Sequence, residues 1–540
     1  MRRAPAGLVA LGLDALDPLL VEAWARDGTL SNLAALMGRG TSGRIRGVEG
    51  FYVGSTWPST CTGCDPAGHG MHYELQLEPG TYELKRVQEG EPGTFVRSET
   101  IWGALGRRGR RVAVLDVPLA EPAADLNGVQ VVEWGGHDDF FGFRATPPEL
   151  ERRLRERWGR HPHGATCDVR RTGLSEYSDF VDRMVEGVSL KTGWVRELLD
   201  GEGWDLFLAV YTEGHCVGHQ CWHIHDPQHP AHDAALAAAL GDPMRRVYRA
   251  LDEAVGELVE AAGDSPVLVW SSHGMDHWRG AAFLLPDILV ALGVSRPWPQ
   301  ESRPGDRPGG WRRIARALRR RLPDGVGASA RGLARWARGR RGGVDRPGPR
   351  RAGVPRLAVD AANSLCCPVR NGSAVSGIRL NVAGREPAGR LRPGAETDEF
   401  CARLRSELLA IVDERTGGPL VRRVVRTADL YEGPHLDRLP DLLIEWSDEP
   451  PTGSTIVGNG AAAHVRVRSP AFGTLEGSND YCRTGDHRPR GWFVVAGDGI
   501  ASRRLDRDVS VLDIAPTIAA MLGAEMPEAD GEPIPELFSS

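Results

Sequence analysis

No stretch of this chain is long and apolar enough to span a bilayer, which takes about 20 consecutive apolar residues. A basic excess is missing too. The 66 lysines and arginines face 72 acidic residues, leaving a net charge of −6, whereas a surface that tracks nucleic-acid phosphates needs the opposite sign. Lysine itself is confined to Lys85 and Lys191, a bias that decides nothing about function. The nine cysteines are an odd set, with Cys61-x-x-Cys64 and the adjacent Cys366 and Cys367, and they make no secreted disulfide framework. The run from Met1 to Asp14 has the basic start and short apolar core of a signal peptide but no A-x-A-like cleavage site. It leads straight into Asp14, as a first buried strand would. These absences predict a cytoplasmic protein with no transmembrane segment and no nucleic-acid polymer as partner, and they leave the oligomeric state open.

What is present is a 540-residue chain with 41% apolar residues, enough for a large core with insertions. Short apolar runs alternate with amphipathic stretches: Leu8 to Leu13, Val112 to Val117, Leu206 to Val210, Val267 to Trp270, Leu442 to Trp446 and Trp492 to Ala496. Strands separated in this way by helices predict an α/β fold with a mainly parallel sheet covered on both faces. Ligands of such sheets sit at the carboxyl ends of the strands. Asp14 follows the first run, a histidine cluster the third, and Ser271-Ser272-His273-Gly274-Met275 the fourth.

The cluster is Tyr211-Thr-Glu-Gly-His-Cys-Val-Gly-His-Gln-Cys-Trp-His-Ile-His-Asp226. Imidazoles that dense at a strand end suggest a metal site, against the plainer reading of a solvated loop. The spacing of His215, His219 and His223 puts three rings on one helix face, two of them able to grip one ion. Cys61 and Cys64 lack a second C-x-x-C and read as ordinary buried thiols. Residues 296 to 356 break the pattern with eighteen arginines against four acidic residues. Within them Trp311 to Leu322 reads as a basic amphipathic helix in a solvated insertion, with a membrane surface or polyanion as the sharper alternative. Residues 75 to 100 form a smaller insertion with a hairpin around Glu78-Pro-Gly-Thr81.

Several segments, in order, resemble the alkaline phosphatase superfamily, nearest its type I phosphodiesterase and nucleotide pyrophosphatase branch. They are Gly12-Leu-Asp14-Ala-Leu-Asp17, Trp57-Pro-Ser-Thr-Cys-Thr-Gly-Cys-Asp-Pro-Ala-Gly-His-Gly70, Trp102 to Pro118, and Gly377-Ile-Arg-Leu-Asn-Val-Ala-Gly-Arg-Glu386. Leu439-Pro-Asp441, Gly485-Asp-His487-Arg-Pro-Arg-Gly491 and the closing Leu512 to Gly523 complete the series. The resemblance implies an alkaline phosphatase-like fold with a smaller inserted cap region. It divides the chain into a core over 1–295 with metal and nucleophile motifs, the insertion 296–356, a cap and second part of the core over 357–480, and a last core segment over 481–540.

The resemblance also implies two divalent ions that stabilise an in-line displacement, with a metal-bound Thr or Ser as nucleophile, and leaves a single zinc and attack by a metal-bound hydroxide as the alternatives. One ion would be held at His215, His219 and His487, the other by Asp14, Ser272, His273 and a hydroxyl. Two aspartates of the family pattern are replaced, by His215 and Ser272. The three-imidazole set suits zinc, with manganese as the alternative. The second ion either is weakly held, or is completed by Glu213, Asp276 or His277, or draws on substrate charge. Counting back from Thr62-Gly63 places the usual nucleophile on Val53, whereas a three-residue deletion places it on Thr56, with Ser55 second. Both hydroxyls also suit a helix cap.

Among the other residues, His223 is the candidate for a proton donor or phosphate contact, with His225, His229 and His232 surface or substrate-facing. Glu213 is a ligand or an acceptor that fixes an imidazole tautomer. Asp486 is expected to be solvated, and Trp57 and Trp222 to be core aromatics or base-stacking rings. The implied activity is metal-dependent hydrolysis of a small phosphate ester or sulfate-like ester, most directly a phosphodiester or nucleotide-like pyrophosphate. A phosphoryl or sulfuryl transferase and a non-catalytic binding protein are the rivals.

Overall fold

The computed structural model describes residues 6–86, 96–123, 125–135, 140–164, 166, 168–201, 203–299, 356–448, 453, 457 and 463–538. Residues 300–355, with the basic helix expected over Trp311 to Leu322, therefore lie outside the described residues. Ten strands are used below: β1 (Ala6–Leu13), β2 (Thr41–Arg46), β3 (Val112–Leu115), β4 (Gly128–Val132), β5 (Arg144–Thr146), β6 (Trp204–Tyr211), β7 (Val267–Ser271), β8 (Gly274–His277), β9 (Gly485–Arg488) and β10 (Arg490–Ala496). Four helices are α1 (Thr56–Thr62), α2 (Leu174–Gly201), α3 (Glu213–His225) and α4 (Pro243–Ala262).

Five of the six apolar runs lie in one ten-stranded sheet of order β2-β10-β7-β1-β6-β3-β4-β5, with Arg503–Arg504 and Val509–Ser510 paired outside β2. The central strands β7, β1, β6, β3 and β4 are parallel, as their near-continuous apolar sequences require for burial on both faces. Along β1 the alternation is clean. Val9, Leu11 and Leu13 join the core under α2, α3 and α4, while Leu8 and Ala10 join the core under α1 and the helix Ile514–Met521. The strand of Trp492 to Ala496, β10, is antiparallel to both β7 and β2.

Leu442 to Trp446 departs from the expected sheet. It belongs to a separate four-stranded antiparallel sheet with Cys366–Val369, Val375–Leu380 and Val421–Arg426, because these strands fill a third core of their own with Ile378, Val424 and Ile444. Arg379, Glu386, Arg385 and Asp441 form an ion-pair network beside it. The hairpin expected around Glu78 to Thr81 is present, Leu75–Leu77 pairing with Leu84–Arg86. Cys61, Cys64, Cys366 and Cys367 are free and buried, and burial pushes the Cys61 thiol up. No helix among the described residues is long and apolar enough to cross a membrane.

Candidate metal centre

Four strand ends converge on one place. Asp14 follows β1, α3 follows β6 after Thr212, and the Ser272-His273 turn joins β7 to β8. The fourth contribution comes from β9, which pairs antiparallel with β8 so that His487 stands opposite Met275. Glycines make this approach possible. A Cβ on Gly485 would lie 2.3 Å from the Gly218 carbonyl oxygen, and one on Gly218 would lie 2.9 Å from the Met275 side chain. The bare backbone at Gly485 therefore lets β9 run directly against α3, and that at Gly218 makes room for Met275 of β8.

His215 and His219, one helical turn apart, meet His487 there. Their ligand atoms and that of His487 all lie within 4.8 Å of one another, and all three residues are buried. The Nε2 atoms of His215 and His219 are 3.1 Å apart. His219 Nδ1 lies 2.7 Å from the Gly485 carbonyl and donates to it, which leaves Nε2 as the lone pair turned into the cluster. Three imidazoles presenting nitrogen this way match the donor set of a zinc-type ion with a further coordination position open. Arg483 Nη1 donates to the same His219 Nε2 at 2.9 Å, so the guanidinium and an ion would share one lone pair.

Beside this triad stand Asp14 and His273. His273 Nε2 is 3.6 Å from Asp14 Oδ1, and its ring centroid is 4.6 Å from that of His487. All five groups lie close together, but the rest of the expected second ligand set does not turn toward them. Ser272 Oγ, fully buried, accepts from Trp270 Nε1 at 3.1 Å and lies 3.0 Å from Thr60 Oγ1, whose own proton goes to the Thr56 carbonyl at 2.7 Å. Thr56 Oγ1 donates to the Tyr52 carbonyl, and Ser55 Oγ donates to the Met71 carbonyl. Ser55 holds the cap position of α1 without a side-chain capping bond.

A cavity of about 230 Å³ opens over the centre. Asp14, His215, His273 and His487 line it, as do Val53 and Trp57, whereas Ser55 and Thr56 do not. Its outer wall adds Arg370, Arg483, Tyr73 and Tyr481. Asp116, Leu119 and Glu133, three of the four non-glycine residues with positive φ among the described residues, also line it. Backbone held in this sparsely populated region clusters where a site needs a fixed wall. Asp116 carries the clearest reason for its strain. Its carboxylate accepts from the Trp134 and Gly135 backbone N–H groups and pairs with the fully buried Lys191 of α2 at 2.5 Å.

The remaining histidines and acids find their partners outside the triad. His223 extends the stripe of α3 but turns to Thr484, its Nδ1 3.2 Å from the hydroxyl. Burial and the neighbouring His229 hold its pKa down to about 3. His229, expected to be surface or substrate-facing, is buried with Nε2 2.9 Å from the Thr484 carbonyl. His225 meets Asp242, and His232 meets the His223 carbonyl. Glu213 points to the far side of α3, where its carboxylate lies 3.2 Å from His161 Nε2. Burial raises that carboxyl, but the His161 hydrogen bond and the Lys191 charge outweigh it, so its pKa ends below the ordinary value. Asp486 is not solvated as expected, for antiparallel pairing with β8 buries it and the Ser373 hydroxyl donates to it. Asp276 and His277 pair with each other, and Asp276 also faces Arg488 and Arg490. Trp57 is buried against the sheet, yet its Nε1 donates to Asp14 Oδ1 at 2.8 Å.

The geometry adds Arg483, Thr60 and the Asp116–Lys191 pair, which sequence reasoning did not single out. Arg483 stood four residues before His487 in an already recognised segment. Nothing in the sequence around Lys191 distinguished it, beyond its being one of two lysines.

Residues 8–293 match the family model described as type I phosphodiesterase / nucleotide pyrophosphatase. Among solved structures, a phosphonoacetate hydrolase from Sinorhizobium meliloti 1021, in complex with phosphonoacetate, is similar at 16% identity and a TM-score of 0.50, covering 97% of this chain and 96% of that one. Murine ectonucleotide pyrophosphatase / phosphodiesterase 5 is similar at 11% identity and a TM-score of 0.47, covering 97% of each chain. At these identities the first likeness shows the fold, which is alkaline phosphatase-like. No curated protein sequence matches the chain significantly.

Proposed function

This chain belongs to the type I phosphodiesterase / nucleotide pyrophosphatase family of the alkaline phosphatase superfamily, and we propose that it hydrolyses a small phosphodiester or nucleotide-like pyrophosphate with the help of a divalent ion, zinc before manganese. The observation that carries this reading is the convergence of three buried imidazoles within 4.8 Å, two of which, His215 and His487, line a cavity. His215, His219 and His487 would hold the ion, which when bound supplies Lewis-acid stabilisation to the oxygens of the reacting phosphorus.

The chain's own groups do the rest. The Gly485 carbonyl fixes the His219 tautomer. Arg483, whose guanidinium reaches His219, and Arg370, both in the cavity wall, supply positive charge for the anionic oxygens of the substrate. The strained wall of Asp116 and Leu119 orients the group that leaves. A largely apolar depression behind it, lined by Pro58, Cys61, Trp102 and Ala120, shares Trp57, Val117, Pro118 and Leu119 with the main cavity, which favours esters with an apolar portion over a bare phosphate.

The test is metal content together with hydrolysis of bis(nitrophenyl) phosphate before and after chelation. Activity that disappears with the chelator and returns with zinc or manganese is expected. Turnover unaffected by complete metal removal would sink the reading.

A further inference from the structure

A two-ion centre needs two sets of ligands, and the described residues furnish one. The first set, His215, His219 and His487, converges. The second would draw on Asp14, Ser272, His273 and a hydroxyl at or before the start of α1; two of those four positions do not serve, and Asp14 is shared with Trp57. Ser272 Oγ accepts from Trp270 Nε1 and lies 3.0 Å from Thr60 Oγ1, whose own proton goes to the Thr56 carbonyl at 2.7 Å, and Ser272 does not line the cavity. With one lone pair given to Trp270 and its proton turned to Thr60, this neutral hydroxyl supplies none of the charge an aspartate would bring there. Val53, which lines the cavity at the place counted back from Thr62-Gly63, offers methyl groups. Ser55 and Thr56, the nearest hydroxyls in sequence, donate to backbone carbonyls and do not line the cavity.

Asp14 is engaged as well. Its Oδ1 accepts the Trp57 indole proton, and the indole can lie there because Gly12 has no Cβ, which would come within 2.8 Å of the ring. Thr212 also lines the cavity, but its hydroxyl donates to the Gly135 carbonyl at 2.7 Å. What is left of the second set is one carboxylate and one imidazole, whose nearest atoms are 3.6 Å apart. Catalytic zinc sites use three protein ligands.

We infer that this chain binds a single divalent ion, at His215, His219 and His487, and that the oxygen attacking phosphorus comes from water and not from a side chain. The inference rests on the phosphoester-hydrolase reading of the same centre. In the balanced step, the water oxygen bonds to phosphorus while the bond from phosphorus to the leaving oxygen breaks with its electron pair. One water proton ends on the leaving oxygen, and the other passes to solvent from the product phosphate. No covalent phosphoryl-protein forms, and one displacement inverts the configuration at phosphorus, where two successive displacements would retain it.

Two measurements on the full chain test this. The first is metal content by elemental analysis and native mass spectrometry, after equilibration with excess zinc or manganese and removal of unbound ion. One ion per chain is expected; two per chain would overturn the inference while leaving the hydrolase reading intact. No ion, with no diester hydrolysis, would overturn both. The second follows the stereochemistry of hydrolysis of a chiral phosphorothioate diester in isotopically labelled water. Inversion is expected, and retention, or labelled phosphate trapped on the protein by acid quench, would overturn the water mechanism whatever the metal count.

Discussion

The indole Nε1 of Trp57 donates to Oδ1 of Asp14 at 2.8 Å, inside the core and at the floor of the cavity. A hydrogen bond to a buried charged group contributes about 1.5–3 kcal/mol. Trp57→Phe, which keeps most of the ring and removes the donor, is expected to lower the unfolding free energy by about that amount in urea titration. Because the indole touches the second ligand set and not the triad, metal content should stay unchanged. Loss of the ion in a folded Trp57→Phe protein would show that Trp57 supports the triad itself.

The triad and the next histidine on the same stripe should separate cleanly. His487→Ala removes one of three ligands and is expected to lose the ion and to cut diester hydrolysis by more than about 100-fold, the upper end of what loss of an outer contact costs. His223→Ala should keep the ion, since its ring is bound to Thr484 one turn away. Elemental analysis of the two variants side by side decides it, and equal metal loss would put His223 back among the ligands.

Strand ends and helix periodicity were readable in the sequence because both follow from burial. Leu8 to Leu13 alternates between two cores, and His215 and His219 share a helix face at the end of β6. The meeting of His487 with that pair crosses about half the chain and became visible only through resemblance. What no local pattern encodes is where a hydroxyl points. Thr56 and Ser55 lie beside the site in sequence, but each satisfies a backbone carbonyl instead. Burial likewise overrode composition at Asp486, expected in solvent, at His229, expected to be surface or substrate-facing, and at His223, expected as a proton donor or phosphate contact; the structure places them against Ser373 and Thr484.

Acid should weaken the fold through His69. Its Nδ1 accepts from the Met71 backbone N–H and its Nε2 lies 2.8 Å from Ser59 Oγ, so both nitrogens are used in the neutral form. Burial, with His435 adding to it, pushes its pKa down to about 3 from the ordinary 6.5. Between those values the unfolded chain takes up a proton that the folded chain refuses. Stability is therefore full above pH 6.5 and falls as the pH drops toward 3, by up to about 1.4 kcal/mol per pH unit for this one group. Urea midpoints from pH 7 to 4.5 should fall less steeply in His69→Asn than in the unaltered chain, and identical slopes would refute the assignment.

Lys191 lies fully buried on an otherwise apolar stripe of α2 and answers the charge of Asp116. Removing one partner of a buried pair strands the other and costs about 3–5 kcal/mol. Lys191→Met is expected to lower stability by that order, and Asp116→Asn combined with it should recover part of the loss. The cycle is read by urea unfolding, and additive losses would mean that the two groups are not coupled.

Gly485 is the most economical handle on the metal centre, because it touches no ion and carries no side chain. A Cβ there would lie 2.3 Å from the Gly218 carbonyl oxygen, so alanine must push β9 away from α3. That movement lengthens the His219 hydrogen bond to the Gly485 carbonyl and withdraws His487 from His215 and His219 together. Outer-contact losses weaken metal binding by about 10–100-fold, and Gly485→Ala should fall in that range when zinc affinity is measured by competition with a chromophoric chelator. Gly38→Ala is the matched control, since no atom lies within 4 Å of the Cβ it would add, and it should leave zinc affinity unchanged. Equal affinities in the two variants would mean that the close passage of β9 over α3 does not set the geometry of the three imidazoles.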